Sequence, residues 1–268
     1  MFSLLFLLAS GADAAAPAEA RPLSLTEALA QPGATQPAQE AEEGPPQGWT
    51  GSVTAGATIT SGNSESRGGN ATANAELRRE DDRFSFGFLW LFAENSNNPT
   101  DTWQITDRRT TGWGQYDYFF SEKTYGFAKA QLENDLQMAL DLRQTYSVGL
   151  GRQIRETEDF KLSGELGLAW VEQSFKTPDD DVEYLAARAA YNVDWVISEV
   201  WSFGQNGEIF PSLESSDDVN AKLNTRLKAA FGESMFGQLQ WLYDWNNSPA
   251  TGAERVDNQF LFSIGFKF

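Results

Sequence analysis

The chain has 268 residues, 41% of them hydrophobic and 13% aromatic, which is enough for one sizeable domain. Its 38 acidic and 20 basic residues leave a formal charge of −18, which argues against nucleic-acid binding because that binding depends on phosphate neutralisation by Lys and Arg. Cysteine and histidine are absent, which excludes disulfides, thiolate or histidine metal sites, and Ser-His or Cys-His nucleophiles. We therefore expect no enzymatic activity and no cofactor.

The N-terminus is typical of an exported protein. Residues 2–9 form a short apolar run, and Ala12-Asp13-Ala14 is an Ala-x-Ala cleavage site, so residues 1–14 are predicted to be a signal peptide. Residues 15–47 are rich in Ala, Pro, Gln and Glu and cannot bury enough apolar surface to become ordered. They are predicted to form a disordered, acidic and Pro-rich periplasmic arm. No later stretch approaches the roughly 20 apolar residues that a membrane-spanning helix needs.

From residue 48 to the C-terminus, apolar and polar residues alternate with a period of two. The alternation begins at Val53, Ala55, Ala57 and Ile59, and it is clearest at the end of the chain, where every even position from Phe260 to Phe268 is large and apolar. Successive side chains point to opposite faces of a strand, whereas a helix would need a period of 3.6. The pattern predicts strands throughout this region.

Twelve strands are predicted in chain order. Their expected bounds are 49–60, 67–79, 83–93, 103–120, 125–133, 142–154, 160–171, 182–197, 201–211, 219–231, 235–245 and 256–268. Tight turns alternate with longer connections such as 134–141, the pattern of short periplasmic turns and longer outer loops in bacterial outer-membrane barrels. The fold class is therefore all-β, a transmembrane antiparallel up-and-down β-barrel of about 12 strands that covers residues 48–268.

A soluble β-sandwich would show the same alternation, so the kinds of residue on each face decide between the two folds. Aromatic residues cluster at predicted strand ends, as interfacial girdles do: Trp49, Tyr118, Phe120, Trp170, Trp195, Trp201, Trp241 and Trp245. Charged residues lie in mid-strand on the polar face: Lys129, Arg143, Glu165, Arg188, Asp194, Lys222, Arg226 and Lys228. Both features favour a barrel in the outer membrane of a Gram-negative cell, in contact with lipid and lipopolysaccharide.

The same eight charged residues are the candidate lumen lining, with Arg152 added if the register of its strand holds. Acids predicted to face them include Asp117, Glu133 and Asp244. Two interpretations stay open at this point. The lumen is either a narrow polar channel with selective charge rings or an internal ion-pair network that conducts nothing.

The last strand carries a second candidate function. Phe266 and Phe268 end an aromatic stripe that resembles the signal read by the barrel assembly machinery, which we expect to be a partner. The same strand must pair with the first, near Val53–Ile59, to remove both open edges.

One acidic loop contains the best candidate metal ligands. Asp179, Asp180 and Asp181 are clustered carboxylates of the kind that Ca²⁺ prefers. Their spacing does not match an EF-hand loop, so an ordinary solvated loop is the preferred interpretation and no metal site is predicted.

The order of several short motifs resembles the YdiY-like family, whose members are described as salt-induced outer-membrane proteins with a domain of unknown function. The motifs are Gly62-Asn63-Ser64-Glu65-Ser66, Asp141-Leu142-Arg143 before Gly149-Leu150-Gly151, Phe210-Pro211-Ser212-Leu213, Pro249 and Gly252 before Asp257, and Gly265-Phe266-Lys267-Phe268. The resemblance covers roughly residues 48–268. It implies a barrel in the outer membrane and carries over no catalytic residue.

Together, the residues and the resemblance predict a structural or salt-stress role in the envelope, with narrow passage of small hydrophilic solutes as one form of it. The alternative is a surface-binding or adhesion barrel that uses acidic extracellular loops.

Overall fold

The computed structural model describes residues 48–61, 65–96, 102–176, 181–215, 218–249 and 251–268. The predicted signal peptide and acidic arm lie outside the described residues. Among the described residues, no helix has the length and apolar character needed to span a membrane.

The described residues form twelve strands, which confirms the predicted fold class. They are β1 (Trp49–Thr60), β2 (Glu65–Arg78), β3 (Asp82–Ser96), β4 (Gln104–Phe119), β5 (Thr124–Asp135), β6 (Leu140–Glu156), β7 (Phe160–Phe175), β8 (Val182–Val196), β9 (Trp201–Pro211), β10 (Val219–Ala230), β11 (Met235–Asn246) and β12 (Val256–Lys267). Each strand pairs antiparallel with its neighbours in sequence, and β1 pairs with β12, so the sheet is a closed barrel.

The two-residue period separates an inner from an outer face. In β12, Gln259 and Ser263 are buried in the barrel, whereas Phe260 and Phe262 are 70% and 69% exposed on the outside. β7 repeats this arrangement, with Leu166 exposed on the outside and Ala169 buried inside. Small and polar side chains therefore fill the interior, and large apolar ones cover the wall.

The two ends of the barrel differ in their connections. Tight turns join the strands at one end, which we call the turn end; they are residues 79–81, 120–123, 157–159, 197–200 and 231–234. The start of β1 and the end of β12 lie at the same end. At the opposite end, which we call the loop end, one connection is shorter than predicted. The predicted loop 134–141 is a turn of only Leu136–Ala139, because the Asp135 carboxylate accepts backbone N–H groups of Gln137 and Met138 at 2.9 and 3.2 Å.

The seam between β1 and β12 is the shortest pairing in the described barrel. Residues Ser52–Ala55 pair with Ile264–Lys267, while the rest of β1 up to Thr60 pairs with β2 alone. The predicted closure along Val53–Ile59 is therefore only partly correct. Beyond Ala55, the Asn70 side-chain amide reaches the Phe262 carbonyl at 3.3 Å, which provides one side-chain bond where the backbone ladder stops.

Candidate functional site

The lumen contains most of the candidate residues. The structure places all eight predicted lumen residues on the inward face, at the positions Lys129, Arg143, Glu165, Arg188, Asp194, Lys222, Arg226 and Lys228. Five of the eight belong to two separate groups of ion pairs, and the other three belong to neither group. The predicted inward position of Arg152 is wrong, because Arg152 is exposed and alternates with the buried Gly151 and Gln153.

The first group, the Glu133 cluster, lies in the loop-end half and consists of Arg109, Glu133, Asp135, Arg143, Lys222 and Asp244. Glu133 is 1% exposed and is its centre. Its carboxylate accepts hydrogen bonds from Arg109 at 2.8 Å, from Arg143 at 3.1 Å and from Lys222 at 2.7 Å. One carboxylate thus holds three cations from three other strands.

Asp244 completes this cluster from the opposite wall. It accepts a hydrogen bond from Arg109 at 2.6 Å and one from Lys222 at 2.9 Å. Arg109 lies on β4 and Asp244 on β11, which are not neighbours in the sheet. Their contact therefore spans the lumen. Charge-assisted hydrogen bonds of this kind are stronger than neutral ones, and they fix the geometry of both partners.

The second group, the Glu208 cluster, lies nearer the middle of the barrel and consists of Lys129, Glu165, Arg188 and Glu208. Arg188 contacts the Glu165 carboxylate at 2.7 Å and the Glu208 carboxylate at 3.1 Å. Lys129 on β5 donates to Glu208 on β9, so this cluster also crosses the lumen. Glu165 accepts further bonds from Gln115 at 2.8 Å and Tyr125 at 3.0 Å.

Asp194, Arg226 and Lys228 belong to neither cluster and line a cavity of about 590 Å³ in the turn-end half, the turn-end cavity. A smaller cavity of about 110 Å³ lies between the two clusters. The two cavities share lining residues, among them Asn74, Asn206 and Asn224. The polar interior is therefore nearly continuous from the turn end to the Glu133 cluster.

Part of the inner wall is apolar, although the sequence predicted a wet or ion-paired lumen. Phe119, Tyr125 and Phe127 pack together at the turn end. Met138, Leu140 and Phe175 form a second buried group at the loop end. These groups fill space beside the charged clusters and narrow the lumen.

Several site residues were missed at the level of sequence. Arg109 lies in the run Arg108-Arg109-Thr110-Thr111, where polar residues occupy both faces and alternation cannot tell which face is inside. Glu208 lies on β9, where Gly204, Gln205 and Gly207 precede it. Few large apolar residues therefore mark the outward face of this strand. Counting positions by two from the outward Trp201 would have placed Glu208 inside.

The acidic loop has no metal-site geometry in its described part. Asp179 and Asp180 lie outside the described residues. The Asp181 carboxylate accepts the Phe175 backbone N–H at 2.7 Å, which closes the base of the loop. No group of three or more acidic side chains in the described ranges is arranged to hold a metal ion. No contact among the described residues specifically supports the surface-binding alternative.

Phe266 and Phe268 both lie on the outer face, 49% and 56% exposed. The exposed outer surface carries further aromatic residues at the turn end: Trp49, Tyr118, Phe120, Trp195, Trp201 and Phe231. This arrangement matches the predicted girdle at that end. The role of the last two aromatic residues in assembly stays a prediction.

Comparison with known proteins gives one family and several solved structures. The model of a family described as "Protein of unknown function, DUF481" matches residues 53–268. A search of curated proteins gives no match. The chain is similar to the NanC porin, with 10% identity, a TM-score of 0.47 and coverage of 81% of this chain and 98% of that one.

Two further solved structures are similar at the same level. An outer membrane channel from Pseudomonas putida F1 is 14% identical, with a TM-score of 0.47 and coverage of 85% of this chain and 97% of that one. The translocator domain of the autotransporter NalP from Neisseria meningitidis is 10% identical, with a TM-score of 0.41 and coverage of 82% and 86%.

Proposed function

The chain belongs to the DUF481 family of proteins of unknown function, and we propose that it is an integral outer-membrane barrel of a Gram-negative cell whose ion-paired lumen is closed to free diffusion. Its role is structural, in maintaining the envelope. Two features support this proposal, namely the apolar outer wall and the charged clusters that cross the lumen.

The outer wall supports a position in a lipid bilayer. Large exposed apolar residues occur on ten of the twelve strands and include Val53, Phe88, Leu150, Leu166, Leu239 and Phe262. Soluble monomers rarely expose apolar patches larger than a few hundred Å². A closed barrel also satisfies the rule that backbone polar groups within lipid must find partners in the protein. Lipid and lipopolysaccharide are the expected contacts of this wall, and assembly requires the barrel assembly machinery.

The main support for a closed lumen is the Glu133 cluster. Its bonds join β4, β5, β6, β10 and β11, so charged side chains cross the interior at one level. The Glu133 and Asp244 side chains are 0% and 6% exposed, so both carboxylates of the crossing pairs are shielded from bulk water. A porin with an open channel would keep such groups on the wall and in water.

The same clusters support our proposal of a salt-stress role. Salt screens exposed ion pairs strongly and buried pairs much less. A barrel held by enclosed pairs keeps its internal network when external salt rises. This property suits a protein that maintains the envelope under salt stress, as the family resemblance implies.

A narrow channel is the second candidate, because the two polar cavities approach the Glu133 cluster from the turn end. A solute path would open if that one cluster were displaced. The two candidates therefore differ in whether the cluster is a permanent closure or a gate.

Single-channel recording in planar bilayers tests the proposal. The unmodified protein is expected to give no steady conductance, and Arg109→Ser with Lys222→Ser is expected to give one, since together they remove the ion pairs Arg109–Asp244 and Lys222–Glu133 that cross the lumen. Lys123→Ser, in an exposed turn, is the control and should stay closed. Steady conductance of the unmodified protein would favour the channel, and recovery of the protein from the soluble periplasm would refute the membrane barrel.

A further inference from the structure

The turn-end cavity contains two cations that have no carboxylate at hydrogen-bond distance in the described barrel. Arg226 and Lys228 lie two residues apart on the inward face of β10. The nearest carboxylate oxygen to Arg226 belongs to Asp194, 3.9 Å from Nη2, and the Asp194 side chain is 54% exposed. Within the described residues, Lys228 has no carboxylate within ion-pair distance, and its Nζ lies 4.7 Å from the centre of the Phe236 ring.

The other cations of the cavity are different. Arg83 donates to Asp117 at 2.7 Å, and Arg188 contacts Glu165 at 2.7 Å. Lys129 is paired with Glu208. Five lining residues are basic and four are acidic, and the buried Asp117 bonded to Arg83 adds a fifth acid at the wall of the cavity. Arg226 and Lys228 are therefore the two cations of this cavity that have no hydrogen-bonded carboxylate among the described residues.

The acids of the cavity make their hydrogen bonds to other residues. Glu165 and Glu208 are already bonded to Arg188 and Lys129. Glu76 lies 4.0 Å from Arg83 and is close to Ser85. Asp194 accepts a hydrogen bond from Asn192 at 2.7 Å and lies beside Arg226 from the exposed side.

The backbone opposite Arg226 leaves room for its guanidinium. A Cβ added at Gly204 would lie 3.1 Å from Arg226 Nη2 and 3.2 Å from Asp194 Oδ1. Any larger residue at 204 would therefore push the guanidinium away from β9. Neutral hydrogen-bonding side chains line the same space, at Ser202, Asn206 and Asn224.

We propose that the turn-end cavity binds a small hydroxylated solute that carries a phosphate or carboxylate group, and that Arg226 and Lys228 hold this anionic group. A partly buried cation without a hydrogen-bonded counter-charge is costly, and an oxyanion would remove that cost. Guanidinium matches the geometry of carboxylate and phosphate, and an ammonium adds a point charge beside it. The volume of about 590 Å³ lies within the usual range of small-molecule sites.

This proposal does not depend on passage through the barrel. With the tight turns facing the periplasm, the cavity would take its ligand from the periplasmic side even if the Glu133 cluster never opens. Loss of binding and loss of lumen closure are therefore separate outcomes.

The test is calorimetric titration of glucose 6-phosphate into the purified barrel in a phosphate-free maltoside detergent, with glucose as the uncharged control. We expect saturable binding of glucose 6-phosphate, competition by inorganic phosphate, and no binding of glucose. Arg226→Gln and Lys228→Gln should each weaken binding about tenfold or more, the loss of one charge-assisted hydrogen bond. Lys123→Gln removes the same charge outside the cavity and should bind like the unmodified protein.

A phospholipid headgroup would offer the same chemistry, so phosphate analysis of the purified protein forms the second arm. Tightly bound phospholipid that is lost in Arg226→Gln would identify a lipid source for the anion, whereas competition by inorganic phosphate identifies a soluble one. All variants must first show the heat-modifiable migration of the folded barrel. Absence of both binding and bound phospholipid in the unmodified protein, or equal binding by Arg226→Gln and the unmodified protein, would overturn the proposal.

Discussion

Phe268 and Gly51 exchange two backbone hydrogen bonds. The Gly51 N–H donates to the Phe268 carbonyl at 2.9 Å, and the Phe268 N–H donates to the Gly51 carbonyl at 3.0 Å. A Cβ added at Gly51 would lie 2.8 Å from Phe268 Cζ, so the terminal ring rests over this glycine on the outer face. The last residue of the chain therefore extends a seam whose ladder is otherwise only four residue pairs long.

Removal of Phe268 is the first prediction. Deletion should leave the protein exported but poorly assembled, because it removes both seam bonds and the aromatic end of the strand. Phe268→Ser keeps the backbone bonds and loses the ring, so its defect separates the aromatic signal from the ladder. Lys267→Ser is the control and should assemble normally. Pulse-labelled membrane fractions and heat-modifiable migration measure the outcome, and normal assembly after deletion would contradict both roles.

The short seam gives a second prediction, which uses the absence of native cysteine. Ser52→Cys with Lys267→Cys should form a disulfide, because these residues are a directly opposed pair of the seam. Thr58→Cys with Leu261→Cys occupies the position that a continued register would give and should remain reduced. Non-reducing gels of the folded protein distinguish the two. Equal oxidation of both pairs would show that β1 and β12 are paired along their full length.

The Glu133 cluster leads to a prediction about stability. Glu133→Gln should reduce the free energy of unfolding by about 3–5 kcal/mol, since Arg143 then loses its ion-pair partner among the described residues, while Arg109 and Lys222 keep only Asp244 as a close carboxylate partner. Urea unfolding in detergent micelles measures this change. Glu122→Gln, in an exposed turn, is the matched control. A loss below about 1 kcal/mol, typical of an exposed pair, would mean that water reaches the cluster.

Salt dependence provides a fourth prediction. The urea midpoint should change little between about 0.1 and 1 M NaCl, although the Debye length falls from about 10 to about 3 Å, because the lumen pairs are enclosed. The exposed pair Arg79–Asp82, with side chains 54% and 19% exposed, is the internal comparison. Its removal by Arg79→Gln should have no measurable effect at high salt. A steep fall of the midpoint with salt would indicate a water-filled lumen.

The two faces of the wall give the fifth prediction. Leu166→Arg should destabilise the barrel by about 2–4 kcal/mol in lipid if the residue lies near the bilayer midplane. Asn192→Arg places the same side chain in the turn-end cavity, where Asp194 can accept its hydrogen bonds, and should cost much less. Unfolding in lipid vesicles compares the variants. Similar losses at both positions would show that the outer face is not in contact with lipid.

The sequence alone determined the fold class, the number of strands and the face on which most side chains lie. The reason is local, since the direction of a side chain along a strand depends only on whether its position is odd or even. The alternation from Phe260 to Phe268 was enough to place the aromatic rings outside and Gln259 and Ser263 inside. It failed at Arg109, where both faces carry polar residues, and at Arg152, where the inward assignment was wrong.

Only the tertiary structure decided which charges meet. Arg109 with Asp244, and Lys222 with Glu133, come from strands that are not neighbours, and their heights in the barrel depend on strand tilt and stagger. No pattern within one strand contains that information. The same holds for the short seam and for Arg226, whose distance of 3.9 Å from Asp194 depends on a residue two strands away.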